Sequence, residues 1–223
     1  MGNSSQNSLR EIASLLMLSL ILWLTAARAS ARQAVGTLPV PTTSPDYVSS
    51  VKVWLPPDYA DFPNRRYVTV YLIDAQADAL FEYVRATVQY LISEGQLDPV
   101  ILIGVSTSQR QYDFTPAPQT ESGKSDFAKS GGAEDYFRYV SRQVVPAVET
   151  KYRCEPLRVG IGHSLGGTFL IHCLLSHHEL FNAYVAISPN LQYDERQMAR
   201  RARQQDLAQA TADRFLYLSR NSD

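Results

Sequence analysis

The chain has 223 residues, with 21 basic and 22 acidic side chains for a net charge of −1, and an apolar fraction of 45%. That is enough chain for one domain with a sizeable core, and neither an internal repeat nor a second domain can be read in it. The near-neutral balance supplies no basic surface for nucleic acid and excludes that class of partner.

Residues 1–29 read as an export signal. The apolar run from Ile12 to Thr25 is too short to span a bilayer comfortably. Ala27-Arg28-Ala29 follows it with the small-x-small pattern of a signal-peptidase site. An uncleaved membrane anchor is the competing reading, because Arg10 is offset by Glu11. Gln6 stands where a myristoylation signal needs Ser or Thr. Removing residues 1–29 takes away Arg10, Arg28 and Glu11, which brings the net charge to −2. The expectation is an exported protein, periplasmic or secreted, with no stable membrane insertion after cleavage.

Residues 30–46, with Pro39, Pro41 and Pro45, predict an extended lead-in to a domain over 47–223. Within it, Ser49 to Leu55 and Tyr67 to Ile73 have strand character, and the polar turn between Asp61 and Arg66 suggests a hairpin. Leu80, Val84, Val88 and Leu91 recur at helical spacing, with Gly95 at the position of a C-terminal cap. Val100 to Val105 is a continuous apolar run of the kind found in parallel sheets covered on both faces. The polar stretch Ala117 to Ser130 is either a substrate-selecting loop or disordered.

Phe137, Val140, Val144 and Val148 mark a helix interrupted near Pro146. Strands follow at Leu157 to Ile161, Ala183 to Ile187 and Phe215 to Ser219. Between them lie an almost wholly apolar helix over Thr168 to Leu175 and a charged one over Glu195 to Ala208. Arg196, Arg200, Arg201 and Arg203 are read as the solvated face of the second. Strands alternating with helices predict an α/β fold with a mostly parallel, doubly wound sheet. The sequence given stops soon after the last strand without a covering helix, and the expectation is a domain whose C-terminal part is missing. Cys154 and Cys173 could form one disulfide or remain two thiols, and neither has metal-ligand spacing.

The chemistry concentrates in Gly162-His163-Ser164-Leu165-Gly166-Gly167, a Gly-x-Ser-x-Gly elbow between a strand and an apolar helix. A serine hydroxyl needs exposure, a base and stabilisation of the oxyanion it creates, and a strained turn at Ser164 would supply the first. The Leu165 N–H is expected to be one oxyanion donor, at a helix N-terminus that favours negative charge. The turn Asp74-Ala75-Gln76 offers the second, from Ala75 or Gln76. The acid is expected after the Phe215 to Ser219 strand, where Asp223 falls. None of His163, His172, His177 and His178 is placed to act as base; all four read as packing or surface residues. Arg110 could contact an anionic or polyhydroxylated acyl group, with a salt bridge to Asp113 the preferred alternative. Tyr112 and Tyr193 are candidate pocket residues.

Several segments resemble one family. They are Val53 to Tyr59, Val70 to Asp74, and Arg110-Gln111-Tyr112-Asp113-Phe114-Thr115-Pro116, together with Gly131 to Glu134, Val144 to Pro146, Tyr152-Arg153 and Ser188-Pro189-Asn190. With the elbow, they are similar to the putative esterase family of α/β-hydrolases, which includes esterase D, siderophore esterases, feruloyl esterases and the mycolyltransferases of antigen 85. Ala75 departs from the family's Leu-Asp-Gly step. The resemblance implies an α/β-hydrolase fold, hydrolysis of a small-molecule carboxylic ester through an acyl-enzyme on Ser164, and neither metal nor organic cofactor. It also implies that the triad histidine follows the acid. Siderophore, feruloyl and other acyl esters, and thioesters, all remain open as substrates. So do an acyltransferase using the same nucleophile and a non-catalytic binding module.

Overall fold

Tyr67–Ile73 and Val100–Val105 are β-branched, aromatic and aliphatic almost throughout, and both form strands buried on both faces. The computed structural model describes residues 35–41, 50–204 and 212–219 together with Met17. The signal-like segment therefore lies outside the described residues, Met17 apart, as does Asp223. Among the described residues no helix is long and apolar enough to cross a membrane.

Seven strands make one sheet: β1 (Gly36–Leu38), β2 (Val51–Trp54), β3 (Tyr67–Ile73), β4 (Val100–Val105), β5 (Cys154–His163), β6 (Ala183–Ile187) and β7 (Phe215–Leu218). Their order across the sheet is β1-β2-β4-β3-β5-β6-β7, with β1 and β2 antiparallel additions to a parallel body. β1 falls inside the extended lead-in and is an edge strand on β2.

The expected hairpin does not form. β2 pairs with β4, from Val51 opposite Val105 to Trp54 opposite Leu102, and β3 lies on the far side of β4. The intervening segment is pinned in place instead of turning tightly. The Arg153 guanidinium lies 3.7 Å from the centre of the Tyr59 ring and donates from Nε to the Arg65 carbonyl, while Arg65 pairs with Asp58 at 2.9 Å. A long connection of this kind lets β2 skip a position, which a two-residue turn could not do.

The helices are α1 (Asp78–Ser93), α2 (Arg110–Asp113), α3 (Glu121–Asp126), α4 (Ala133–Tyr139), α5 (Val145–Lys151), α6 (Leu165–Ser176) and α7 (Tyr193–Gln204). α1 lays Phe81 and Val88 over Val70, Leu72, Val100 and Leu102 on one face of the sheet. On the other face, Tyr71, Ile73, Ile103 and Val105 join Phe114, Tyr136 and Phe169 in the larger core. Gly95 takes φ 67° just past α1, as its cap position predicts.

The predicted interruption near Pro146 is a π-helical turn over Val140–Val144, where the Val145 N–H reaches back to the Val140 carbonyl. Proline has no N–H and its ring crowds the carbonyl four residues before it, so the wider turn is where the helix absorbs it. The stretch Ala117 to Ser130 is ordered around α3, which Thr120 caps by accepting from the Gly123 N–H at 2.9 Å. The arginines of α7 are not all on a solvated face. Arg200 lies 3.6 Å from the buried Asp194 carboxylate, and Arg201 reaches His172 and Ser176.

Cys154 and Cys173 are free and buried. Burial pushes the Cys154 thiol up to about 11, and pushes Cys173 well above the ordinary thiol range. Since the thiolate is the reactive form, both are expected to resist a thiol-specific reagent at neutral pH in the native protein. Both should titrate once the chain is unfolded in concentrated guanidinium. Rapid reaction of either in the native state would contradict the packing.

Candidate active site

From Val159 to Gly162, β5 carries apolar side chains on one face only. Val159 and Ile161 pack toward the core under α1, while Gly160 and Gly162 leave the other face bare. α6 occupies that space. A Cβ at Gly160 would stand 2.8 Å from the Leu170 side chain, and one at Gly162 only 2.5 Å from the Gly166 backbone. Strand and helix thus meet backbone to backbone, and the chain has to reverse between them within Ser164.

Ser164 accordingly takes φ 54° and ψ −119°, a conformation that costs a residue with a side chain about 1–3 kcal/mol. Its N–H donates to the Ile187 carbonyl at 3.0 Å, and its own carbonyl accepts from the Thr168 N–H at 2.9 Å and the Thr168 hydroxyl at 3.2 Å. Asn190 holds that hydroxyl in turn, donating its N–H at 2.9 Å. Pro189 closes the same side, 3.2 Å from where a Gly167 Cβ would lie. The Ser188-Pro189-Asn190 step is thus the buttress of the elbow. Ser164 itself is half-buried, open to solvent on one side. Leu165 is the first residue of α6, so its N–H has no partner within the helix.

The sheet order places a second loop beside this one. β4 lies to one side of β3 and β5 to the other, so the connections leaving β3 and β5 diverge and open a crevice at their carboxyl ends. Ile73 pairs with Gly162, and a Cβ at Gly166 would sit 3.2 Å from that of Asp74. Asp74 turns at φ 79° and is buried. Its carboxylate accepts from Arg110 Nε at 2.7 and 2.8 Å and makes a short hydrogen bond with the Gln76 side-chain amide.

These contacts correct three expectations. The Ala75 N–H cannot serve as an oxyanion donor, because it donates to the Val105 carbonyl at 3.2 Å in a fully buried position. The exposed Gln76 remains the candidate from that turn. Arg110 pairs with Asp74 rather than Asp113, whose buried carboxylate instead takes a short hydrogen bond from the Thr107 hydroxyl. Tyr193 is buried, its ring centre 4.6 Å from that of Phe127 and its hydroxyl donated to the Pro116 carbonyl, which makes it a packing residue. Tyr112 does line a pocket: with Arg110, Ser108 and Lys129 it borders an open one of about 450 Å³.

Two residues that sequence reasoning gave no role organise this face. One is Asp74. The other is Asp194, whose buried carboxylate reaches back in the chain to a loop that precedes β5, accepting from the Gln119 and Thr120 N–H groups and the Thr120 hydroxyl. An acid closing an apolar strand is a readable signal for the first. Nothing local marks the second. The four histidines keep their expected places: His163 is exposed at the strand end, His172 is inside α6, and His177 and His178 lie beyond its far end.

The family described as Putative esterase matches residues 43–216, nearly all of the domain. The chain belongs to the putative esterase family. It is similar to the ferri-bacillibactin esterase BesA of Bacillus subtilis, 30% identical over 60% of this chain and 51% of that one. It is likewise 31% identical to the siderophore enterobactin esterase of Emericella nidulans, over 60% of this chain and 50% of the relative. The chain thus spans about half the length of the curated relatives it matches. An IroE-like serine hydrolase from Shewanella oneidensis superposes with a TM-score of 0.68 at 24% identity, covering 78% of this chain and 57% of that one. The fold is therefore that of the α/β-hydrolases, as the family resemblance implied, on the mostly parallel sheet that the alternation of strands and helices predicted.

The contact at Gly162 is testable without reference to activity. Gly162→Ala is expected to destabilise the domain by about 1–3 kcal/mol through overpacking against the Gly166 backbone. Gly36→Ala, whose Cβ would meet nothing nearer than 3.9 Å, should be close to neutral. Equal chemical-denaturation midpoints for the two variants would rule out the close approach.

Proposed function

We propose that the protein is a serine carboxylic-ester hydrolase with Ser164 as nucleophile. The observation that carries this reading is the strained, solvent-facing Ser164 beside the Leu165 N–H, at the crevice where the strand order reverses. In the reaction the Ser164 hydroxyl gives its proton to a general base as Oγ bonds the ester carbonyl carbon. The Leu165 N–H, with that of Gln76, would hold the resulting oxyanion. Collapse expels the alcohol and leaves an acyl-enzyme, which water then hydrolyses. Asp223 is the candidate acid. None of the four histidines forms a hydrogen bond with Ser164, so the base is not assigned to any of them.

The relatives named as ferri-bacillibactin and enterobactin esterases support siderophore-type esters as the substrate class. A pocket bordered by Tyr112, Arg110 and Lys129 at the same end of the sheet suits an aromatic, anionic acyl group. The apolar run Ile12 to Thr25 followed by Ala27-Arg28-Ala29 supports export, where such a substrate would be met.

A fluorophosphonate probe is expected to label the full-length protein at Ser164, and Ser164→Ala should abolish both labelling and ester hydrolysis, lowering kcat by at least about 10³-fold. Labelling of both proteins to the same extent would sink the assignment.

A further inference from the structure

Three potential metal-binding side chains converge at the end of α6 remote from the elbow. Glu134 stands in the first turn of α4, His172 in α6 and His177 just past its end. Glu134 Oε2 lies 2.9 Å from His177 Nε2 and 3.6 Å from His172 Nε2, and all three residues offer ligand atoms within 4.8 Å of one another. Tetrahedral zinc with bonds of about 2.0–2.1 Å sets its ligand atoms roughly 3.4 Å apart. A metal would therefore need only small adjustments of side chains already facing each other.

The surroundings hold the donors in place. The His172 side chain is only 7% exposed, yet its Nε2 has no hydrogen-bond partner and faces the Glu134 carboxylate. A buried ring nitrogen left unpartnered is costly unless something fills its lone pair or takes its proton. The His177 ring is stacked on Phe137 at 3.6 Å and 4°, which fixes its plane, while the exposed Glu179 carboxylate stands 4.0 Å from its Nδ1, beyond hydrogen-bond distance. Glu134 is half exposed, which leaves a fourth coordination position open to water.

We propose that Glu134, His172 and His177 bind a divalent transition-metal ion of the zinc type, tying α4 to the far end of α6. Arg201 is its built-in competitor. A guanidinium only donates, so Arg201 Nη1 at 3.2 Å from His172 Nδ1 places the ring proton on Nε2, the atom the metal needs. Binding moves that proton to Nδ1 and turns Nη1 away, while Arg201 keeps its bond to the Ser176 hydroxyl through Nη2. His172 lies two helical turns beyond Ser164, about 12 Å along the axis, so the ion takes no part in chemistry at the elbow, and this inference does not depend on the esterase reading.

The test is calorimetric titration of Zn²⁺ into tag-free, chelator-treated full-length protein, paired with thermal melts. One saturable site and a Zn²⁺-dependent rise in melting temperature are expected. Glu134→Gln and His177→Ala should each weaken binding at least about 10-fold, with metal-free circular dichroism unchanged, whereas His178→Ala should leave it intact. Arg201→Met is expected to tighten binding several-fold, a gain that a merely structural role for the arginine would not produce. Absence of a saturable site, or equal affinity in the wild type and His177→Ala, would overturn the proposal.

Discussion

The domain depends on one close contact, the meeting of β5 and α6 at Gly162 with no side chain between them. Gly162 removes the obstacle on the strand and Gly167 on the helix, while Gly160 makes room for the Leu170 side chain and Gly166 for Asp74 at the end of β3. The strain this imposes at Ser164 is about 1–3 kcal/mol. Against it stand Phe169, Leu170, Ile171, Leu174 and Leu175, all buried along the same helix, each contributing roughly 1.5–3 kcal/mol on leaving water. Packing thus outweighs the strain several-fold, and the strained residue is held wherever the helix is docked. Exposure of the hydroxyl follows from the same geometry, because the residue at the reversal is the one that neither strand nor helix covers.

The second loop of the crevice is held by charge rather than by packing. Asp74 is buried at the end of β3 and turns the chain at φ 79°. An unpaired carboxylate there would be costly, and the two contacts to Arg110 Nε, with the Gln76 amide, supply the compensation. Lys52 fastens the next residue, donating to the Ala75 carbonyl at 2.9 Å. Exposed pairs such as Lys124 with Glu121 contribute little by comparison. The Gln76 backbone is therefore positioned by a network anchored on β2, β3 and α2, which β2 joins because it passes over β3 to pair with β4.

That crossing explains what the sequence could and could not disclose. Strands such as Val100–Val105 and the helix α6 were legible because burial on two faces, or all round, leaves a local signature in residue type. The elbow was legible because Gly162 answers to Gly166 and Gly167 within the motif itself. The hairpin expectation failed because pairing of β2 is decided by β4, which follows only after β3 and α1, and by Arg153 pinning the connection from farther still. Tyr193 and Asp194 were misjudged or overlooked for the same reason: their partners, Pro116 and Thr120, precede β5 and β6 in the chain. Arg201 looked solvated because the helical pattern places it among charges, whereas a buried histidine and Ser176 draw it inward.

The compensation of Arg110 also bears on how the adjoining pocket could treat an anion. A guanidinium already engaged by a buried carboxylate presents little net charge, and its remaining donors act more as directional hydrogen-bond groups than as a source of field. Lys129, exposed in the lining of the same pocket, has no carboxylate within ion-pair distance among the described residues. Attraction of an anionic acyl group would then fall mainly to Lys129, and its orientation to Arg110 and the Tyr112 ring. Lys129 belongs to the stretch that Asp194 fastens to α7 through Thr120. Its own end of that stretch is held separately, by the Ser130 N–H on the Phe127 carbonyl at 2.9 Å, the Gly131 N–H on the Thr115 carbonyl at 3.1 Å and Phe127 against Tyr193, so the positive rim of the pocket is fixed from both ends of the loop.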